Sequence, residues 1–236
     1  MAPLKIGYWD IRGFAEPIRM LLKHLNIEFE ETRYGFGNDS EESFPNRDEW
    51  LAEKFTLGFE FPNLPYLFDG DFKMTESVAI LKRLARANGM IATTEPALSY
   101  SEMIEAMVID IRNRLVYVIY AENSGTPEEF EQKLADLRER LETSLGQLEA
   151  FFQKHGSQWV AGDKLTYVDF LAYEYLDWYR VFVKSTPIFE KFAKVSDYMK
   201  RFEELPSLKE YIASDEHRSA SCLSPFARIG HRWAKE

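Results

Sequence analysis

The segment GYWDIRGFAEPIR, residues 7–19, marks the point where a short apolar strand turns into an amphipathic helix. Leu4, Ile6 and Tyr8 alternate with small or polar residues, which is the period of a strand. The next apolar residues recur at the period of a helix: Ile18, Leu21, Leu22 and Leu25. Pro17 fits the first helical turn, where its missing N–H has no helical partner. The turn is therefore confined to about residues 9–14. Open α/β sheets bind their ligands at such turns between a strand and a helix, and the hydroxyl of Tyr8 faces this one.

Composition narrows the class of protein. The 236 residues suffice for one large domain or two small ones. A formal net charge of -10 argues against a nucleic-acid partner. The lone Cys222 excludes an internal disulfide and a CxxC redox pair, and fits a reducing compartment. Early charged residues argue against a signal peptide, and the longest apolar run, residues 115–121, is too short for a bilayer. We therefore expect a cytosolic protein that does not bind membranes.

The first 87 residues predict alternating strands and helices. After the opening strand and helix, the predicted elements are a strand at 27–33, a loop at 34–47, a helix at 48–55, a strand from Pro65, a hairpin turn at 69–71, a strand at 72–74 and a helix at 76–87. The helical crossover between the first two strands predicts parallel pairing. This order is the thioredoxin-like arrangement, so we predict a thioredoxin-like α/β domain over residues 1–87.

The remainder predicts helices only, which makes the fold class α+β. Residues 88–96 are the predicted linker, and residues 97–236 the predicted all-α helical domain with a C-terminal tail. The first long helix has a core stripe at Ile104, Met107, Val108, Ile111, Leu115 and Val118. Its opposite face carries Ile109, Asp110, Asn113, Tyr117 and Tyr120. Further predicted segments are helices at 127–155, from Thr166, at 188–204 and at 207–214, then an irregular tail at 215–236.

Several kinds of site find no support in the sequence. The four histidines, His24, His155, His217 and His231, lack the spacing of metal ligands. Residues 35–37 are Gly-Phe-Gly without a following Lys-Ser/Thr, which argues against a nucleotide loop. Thr166 and Asp169 read as a structural capping box rather than as catalytic groups. What remains is an unusual tyrosine, Tyr8, at the end of a strand.

Four segments in register resemble the mu class of glutathione transferases. They are GYWDIRGFAEPIRMLL, RDEWLAEKFTLGFEFPNLPYLFDG, KMTESVAILKRLAR and WVAGDKLTYVDFLAYEYLD, which begin at residues 7, 47, 73 and 159. The resemblance extends over essentially the whole chain, and within the class it is nearest to the mite group 8 allergens. It implies the glutathione transferase fold, reduced glutathione as co-substrate and no other cofactor. The implied reaction adds the glutathione thiolate to electrophilic apolar small molecules.

The resemblance implies that the thiol of glutathione faces Tyr8. An unperturbed tyrosine has a pKa of about 10, so at neutral pH its hydroxyl is a donor rather than a base. A hydrogen bond donated to sulfur favours the thiolate and lowers the pKa of the thiol. One such bond is worth about 1.5 to 3 kcal/mol, or about one to two pKa units. Tyr120 matches a second tyrosine that donates a proton in some reactions of the family.

The implied glutathione site combines residues from several motifs: Tyr8, Trp9, Phe14, Arg47, Trp50, Lys54, Asn63, Leu64, Pro65, Glu76, Ser77 and Asp110. In the family pattern the backbone of Leu64 pairs with the cysteinyl residue, and Pro65 is cis. Ser77 and the helix N-terminus after it suit the γ-glutamyl carboxylate. The resemblance also implies that Asp110 reaches the γ-glutamyl amine of the neighbouring subunit's ligand.

The other end of glutathione, its glycine carboxylate, is assigned to Arg47, Trp50 and Lys54. The sequence departs from the class pattern here, because the loop between Tyr34 and Trp50 is a few residues longer. Glu76 stands where the class more often has glutamine. Its negative charge favours the γ-glutamyl amine over the carboxylate.

The implied acceptor pocket is built from Phe14, Ile109, Asn113, Tyr120 and Phe226. Phe14 replaces a usual leucine and Asn113 a frequent methionine, so the acceptor spectrum does not carry over. Phe61 matches an aromatic key that enters the partner subunit, which implies a homodimer. Two alternatives to conjugation stay open: a non-catalytic carrier of apolar ligands and a glutathione-dependent isomerase on the same fold.

Overall fold

The computed structural model describes residues 3–37, 45–120, 125–182 and 186–229. The chain forms two compact units, of which the first contains Met1–Gly89 and the chain from Pro206 onward, and the second contains Met90–Leu205. The boundary after Gly89 lies within the predicted linker, residues 88–96. The segment from Pro206, by contrast, belongs to the first unit, whereas the sequence prediction assigned it to the helical domain.

The first unit is built on a four-stranded sheet in the order β2-β1-β3-β4. Its strands are β1 (Leu4–Trp9), β2 (Phe29–Tyr34), β3 (Tyr66–Asp69) and β4 (Phe72–Thr75). β1 pairs with β2 in parallel and with β3 antiparallel. The parallel pairing and the hairpin between β3 and β4 confirm the predictions.

The helices of this part of the chain follow the predicted order. They are a 3-10 turn at Gly13–Ala15, α1 (Glu16–His24), α2 (Asp48–Glu53) and α3 (Ser77–Ala87). Pro17 occupies the first turn of α1, as its missing N–H requires. The predicted helix at 76–87 begins one residue later because Glu76 has a positive φ of 74°. The predicted loop at 34–47 falls partly on residues 38–44, which lie outside the described residues.

Gly7 lets the central strand approach Tyr66 closely. A β-carbon at Gly7 would lie 2.1 Å from Cζ of Tyr66, its neighbour in register on β3. The Tyr66 hydroxyl lies 2.9 Å from that of Tyr34, whose hydroxyl also bonds Glu53 on α2. Burial and these two partners raise the pKa of Tyr34. The Tyr34 hydroxyl therefore stays protonated, and its two hydrogen bonds join β2, β3 and α2.

The second unit consists of helices. They are α4 (Ala97–Ile119), α5 (Pro127–His155), α6 (Tyr167–Phe182), α7 (Thr186–Phe189) and α8 (Ala193–Glu203). The bounds of α5 match the prediction, and a capping box between Thr126 and Glu129 fixes its start. The predicted stripe of α4 is buried at Ile104, Val108, Ile111 and Leu115. The predicted helix at 188–204 is divided in two, because α7 ends in a turn at Phe189, whose carbonyl accepts the N–H of Phe192 at 3.0 Å, and α8 begins at Ala193.

Asp169 fixes the start of α6. One of its oxygens accepts the N–H of Val160 at 3.0 Å. The other accepts the N–H of Thr166 at 2.8 Å and its hydroxyl at 3.1 Å. These contacts support the structural reading of Thr166 and Asp169.

The segment from Pro206 contains two short helices, α9 (Lys209–Ala213) and α10 (Asp215–Arg218). It joins the first unit through main-chain hydrogen bonds at the Tyr8 turn: the N–H of Arg12 donates to the carbonyl of Ser221 at 2.8 Å, and that of Gly13 to Cys222 at 3.0 Å. Each of these bonds joins residues 209 positions apart in sequence, so neither was predictable from local patterns. Residues 230–236 of the predicted tail lie outside the described part of the chain. Within the described part, no helix is long and apolar enough to cross a membrane.

Candidate active site around Tyr8

Tyr8 is held at the end of β1 with its hydroxyl inside the following turn. The side chain is 5% exposed. Its oxygen accepts the main-chain N–H of Phe14 at 2.9 Å. Hydrogen bonds in a chain polarise one another, so a hydroxyl that accepts from an N–H is a stronger donor to a further acceptor. The geometry therefore suits a tyrosine that donates a hydrogen bond.

Arg19 supports this turn through hydrogen bonds to its main chain, a role that the sequence did not predict. Its guanidinium donates to the carbonyl of Ile11 at 2.7 Å and to that of Arg12 at 3.2 Å. The guanidinium carbon lies 6.0 Å from the centre of the Tyr8 ring. Burial lowers the pKa of Arg19, but the charges of Glu16 and Glu31 outweigh that effect, so the side chain stays positive. The available signal was a charged residue among the apolar positions of α1.

An aromatic cluster brings several predicted site residues together. Five residues of this cluster were predicted from the sequence to contact glutathione: Tyr8, Trp9, Phe14, Trp50 and Leu64. The ring of Trp9 stacks on Phe36 with centres 4.8 Å apart. The Trp50 ring is buried, with its centre 5.3 Å from that of Tyr34. Tyr34, Phe36 and Trp50 thus form a wall beside the Tyr8 turn.

The segment before β3 has the predicted cis peptide bond between Leu64 and Pro65. The N–H of Leu64 donates to the side-chain oxygen of Asn63 at 2.9 Å. The side-chain nitrogen of Asn63 lies 3.4 Å from a carboxylate oxygen of Glu76. Asn63 therefore bridges two of the residues predicted to contact glutathione.

Residues 4–86 match the family model described as glutathione S-transferase, N-terminal domain, and residues 109–215 match the one described as glutathione S-transferase, C-terminal domain. The chain belongs to the glutathione S-transferase family. It is 39% identical to glutathione S-transferase B of Cavia porcellus, over 95% of this chain and 98% of that protein. It is 41% identical to glutathione S-transferase Mu 1 of Oryctolagus cuniculus, over 90% of this chain and 91% of that protein.

A solved crystal structure of the glutathione S-transferase Blo t 8 is 92% identical to this transferase. Its TM-score is 0.91, over 96% of this chain and 100% of that one. These similarities confirm the predicted resemblance to the mu class and to the group 8 allergens, and the predicted fold of a thioredoxin-like domain followed by a helical domain. The relatives are named transferases, which supports a conjugating enzyme and not the carrier or isomerase alternatives.

Four charged or polar residues that are predicted to contact glutathione lie at the ends of α2 and at the start of α3. Arg47 precedes α2, with its guanidinium carbon 4.8 Å from the centre of the Phe226 ring. Lys54 directly follows α2. Glu76 is exposed with φ 74°, and Ser77 is the first residue of α3. The ligand contacts of these four residues stay predictions.

Residues predicted from α4 lie in the second unit. Asp110 is exposed and forms an ion pair with Arg114, one turn further along the helix. Asn113 accepts hydrogen bonds from Arg112, the nearer at 2.8 Å. Ile109 is half-buried on α4, and Tyr120 is the half-buried residue that ends it. Phe14 and Phe226 belong to the first unit, and the acceptor pocket stays a prediction.

Proposed function

We propose that this transferase activates the thiol of reduced glutathione through Tyr8 and adds the thiolate to electrophilic carbons of apolar small molecules. The observation that carries the assignment is the Tyr8 hydroxyl, which accepts the N–H of Phe14 in a chain that matches both transferase domains. Glutathione is the co-substrate, and members of the family need no metal or other cofactor. The hydroxyl donates to sulfur and stabilises the thiolate by about 1.5 to 3 kcal/mol. The thiol pKa falls by about one to two units, so more of the bound thiol is nucleophilic at neutral pH.

In this proposal the cysteinyl residue of glutathione pairs with the main chain of Leu64, just before β3. Its cysteinyl carbonyl replaces the Asn63 oxygen as acceptor for the Leu64 N–H, so Asn63 turns away on binding. Ser77 and the N-terminal amides of α3 hold the γ-glutamyl carboxylate, because the end of a helix favours an anion. Glu76 holds the γ-glutamyl amine, together with Asp110 of a second subunit.

The glycine carboxylate is held by Arg47, Trp50 and Lys54, which lie before, within and after α2. Both cations suit an anionic group, since a charge-assisted hydrogen bond is roughly twice as strong as a neutral one. The acceptor residues in this proposal are those that the family pattern assigns: Phe14, Ile109, Asn113, Tyr120 and Phe226. Tyr120 donates a proton to those acceptors that take one.

A homodimer completes the site in this proposal. Phe61 is 74% exposed, and in the family pattern its position is that of an aromatic residue which enters the partner subunit. Insertion of this ring into the partner subunit removes it from water.

Cys222 is buried and is the chain's only cysteine, which fits a protein of the reducing cytosol.

Replacement of Tyr8 by Phe tests the assignment. We expect turnover with an aryl halide acceptor to fall about tenfold to a hundredfold, while glutathione binding changes little. Tyr117→Phe is the matched control, because it removes the same hydroxyl from a side chain that is 80% exposed. Equal turnover of the two variants would overturn the role of Tyr8. Product analysis checks that glutathione is consumed, as conjugation requires.

A further inference from the structure

The C-terminal segment places a buried histidine against the first helix of the sheet domain. His217 of α10 is 3% exposed, and its Nδ1 lies 3.0 Å from Oε1 of Glu16, the first residue of α1. Glu16 is 1% exposed. Tyr211 of α9 donates its hydroxyl to the same oxygen at 2.7 Å. A carboxylate only accepts hydrogen bonds, so Nδ1 of His217 carries the proton in this contact.

Glu16 connects these two side chains to Arg19. Its other oxygen accepts from the Arg19 guanidinium at 3.1 Å. Burial by itself raises the pKa of Glu16, but the hydrogen bond from His217 and the charge of Arg19 outweigh it and hold the pKa well below its usual range. Glu16 is therefore a carboxylate. Through it, the C-terminal segment contacts the arginine that bonds the carbonyls of the Tyr8 turn.

The same segment also contacts that turn directly. The N–H groups of Arg12 and Gly13 donate to the carbonyls of Ser221 and Cys222. The next N–H along the chain, that of Phe14, donates to the Tyr8 hydroxyl. Of three consecutive amides, two are fixed by the C-terminal segment and the third by the tyrosine. Displacement of the segment therefore moves the group that orients the hydroxyl.

We infer that the contact between Glu16 and His217 holds the C-terminal segment against the Arg12–Gly13 turn and thereby positions the Tyr8 hydroxyl toward the glutathione thiol. His217 is then a positioning residue, although it lies outside every motif of the predicted site. The inference rests on the role proposed for Tyr8. Removal of the imidazole leaves a buried carboxylate with one partner fewer, which favours release of the segment.

Two further contacts of the segment involve neither Glu16 nor His217. Glu216 and Arg33 form a partly exposed ion pair at 3.2 Å, a type that contributes little. His24 lies 2.7 Å from the hydroxyl of Ser207, near the start of the segment. His24 is thus a second histidine that joins the first unit to the same segment without touching Glu16. It provides a matched control.

Four variants test the inference: His217→Leu, His217→Asn, His24→Leu and Tyr8→Phe. We measure kcat and KM with an aryl halide, and the pKa of the bound glutathione thiol from the ultraviolet absorbance of its thiolate. We expect His217→Leu to lower kcat about tenfold, because a small displacement of a catalytic group is costly. The thiol pKa rises by about one unit at most, as an impaired hydrogen bond predicts, while KM for glutathione stays the same. His217→Asn restores most of both, because its amide nitrogen can replace Nδ1.

The outcomes separate the two proposals. If the thiol pKa is normal in His217→Leu but raised in Tyr8→Phe, then His217 does not position the Tyr8 hydroxyl. The proposed role of Tyr8 is unaffected by this result. A normal thiol pKa in Tyr8→Phe overturns the proposed role of Tyr8 in activating the thiol. An effect of His24→Leu equal to that of His217→Leu also contradicts the inference, because it shows that any loss of tail contact suffices.

A fifth variant keeps the test decisive if His217→Leu does not fold. Tyr211→Phe removes only the hydroxyl that donates to the same oxygen of Glu16. We expect faster hydrogen exchange at the amides of Arg12 and Gly13, with a smaller rise of the thiol pKa. Unchanged exchange and an unchanged thiol pKa in a folded Tyr211→Phe protein overturn the inference.

Discussion

A β-carbon on Gly13 would lie 2.6 Å from the phenolic oxygen of Tyr8 and 2.4 Å from Cε1 of its ring. Gly13 also has a positive φ of 46°, which side chains rarely adopt. The turn and the tyrosine therefore both require glycine here. The hydroxyl owes its position to this absence of a side chain as well as to the hydrogen bond from Phe14.

Gly13→Ala tests this relationship. We expect the methyl group to displace the Tyr8 ring, so that kcat falls and the thiol pKa rises toward the values of Tyr8→Phe. Gly70→Ala is the control, because Gly70 has a φ of 60° but no heavy atom within 4 Å of the added carbon. Both variants lose stability through the positive φ, by more than about 0.4 to 1 kcal/mol. Equal activity in the two would show that Tyr8 is not displaced.

The lowered pKa of Glu16 predicts that the folded protein loses stability in acid. Its pKa is held well below the usual value of 4.5 in the folded protein, whereas the unfolded chain has an ordinary pKa. The unfolded state therefore binds the proton first, and the stabilisation by Glu16 is complete above about pH 5 and declines as the pH falls. Glu16→Gln lacks this contribution. In urea titrations, the difference in free energy of unfolding between wild type and Glu16→Gln should shrink below about pH 4.5.

The control for this pH series is Glu216→Gln, which changes an exposed carboxylate of the C-terminal segment. Other acidic groups titrate in both wild type and variant, so the comparison isolates one residue. A difference between wild type and Glu16→Gln that stays constant from pH 7 to pH 4 would contradict the depressed pKa.

Replacement of Asp169 should lower the stability of the protein without directly impairing catalysis. Its two oxygens accept hydrogen bonds from Val160 and Thr166. An asparagine has one oxygen and one NH2 group, so Asp169→Asn leaves a buried N–H facing a donor. The cost is about 1 to 3 kcal/mol in the free energy of unfolding. Asp163→Asn, an exposed change in the preceding loop, should cost much less, and equal costs would refute the structural role.

Local patterns predicted much of the fold because α5, the core stripe of α4 and the parallel β1–β2 pair each follow from periodicity or short-range turn chemistry. The resemblance predicted the cis bond at Pro65. The contact of His217 with Glu16 was not predictable, because the two residues lie 201 positions apart and neither carries an apolar signal. For the same reason the segment from Pro206 was assigned to the helical domain. Burial of Arg19 was missed because its charge is neutralised by acids from two different elements.

Phe61 provides a test of the homodimer. The main chain at this residue is held by the Thr75 hydroxyl, which donates to the Phe61 carbonyl at 2.8 Å, so the side chain can be replaced without altering the loop. Burial of one such ring contributes about 1.5 to 3 kcal/mol, so Phe61→Ser should weaken dimerisation at least about tenfold. Sedimentation over a dilution series measures the change. Phe55→Ser is the control, since Phe55 is 77% exposed on the same stretch of chain and has no proposed contact with the partner. A dimer equally stable in both variants would exclude Phe61 as the intersubunit key, and a monomeric wild type would exclude the homodimer.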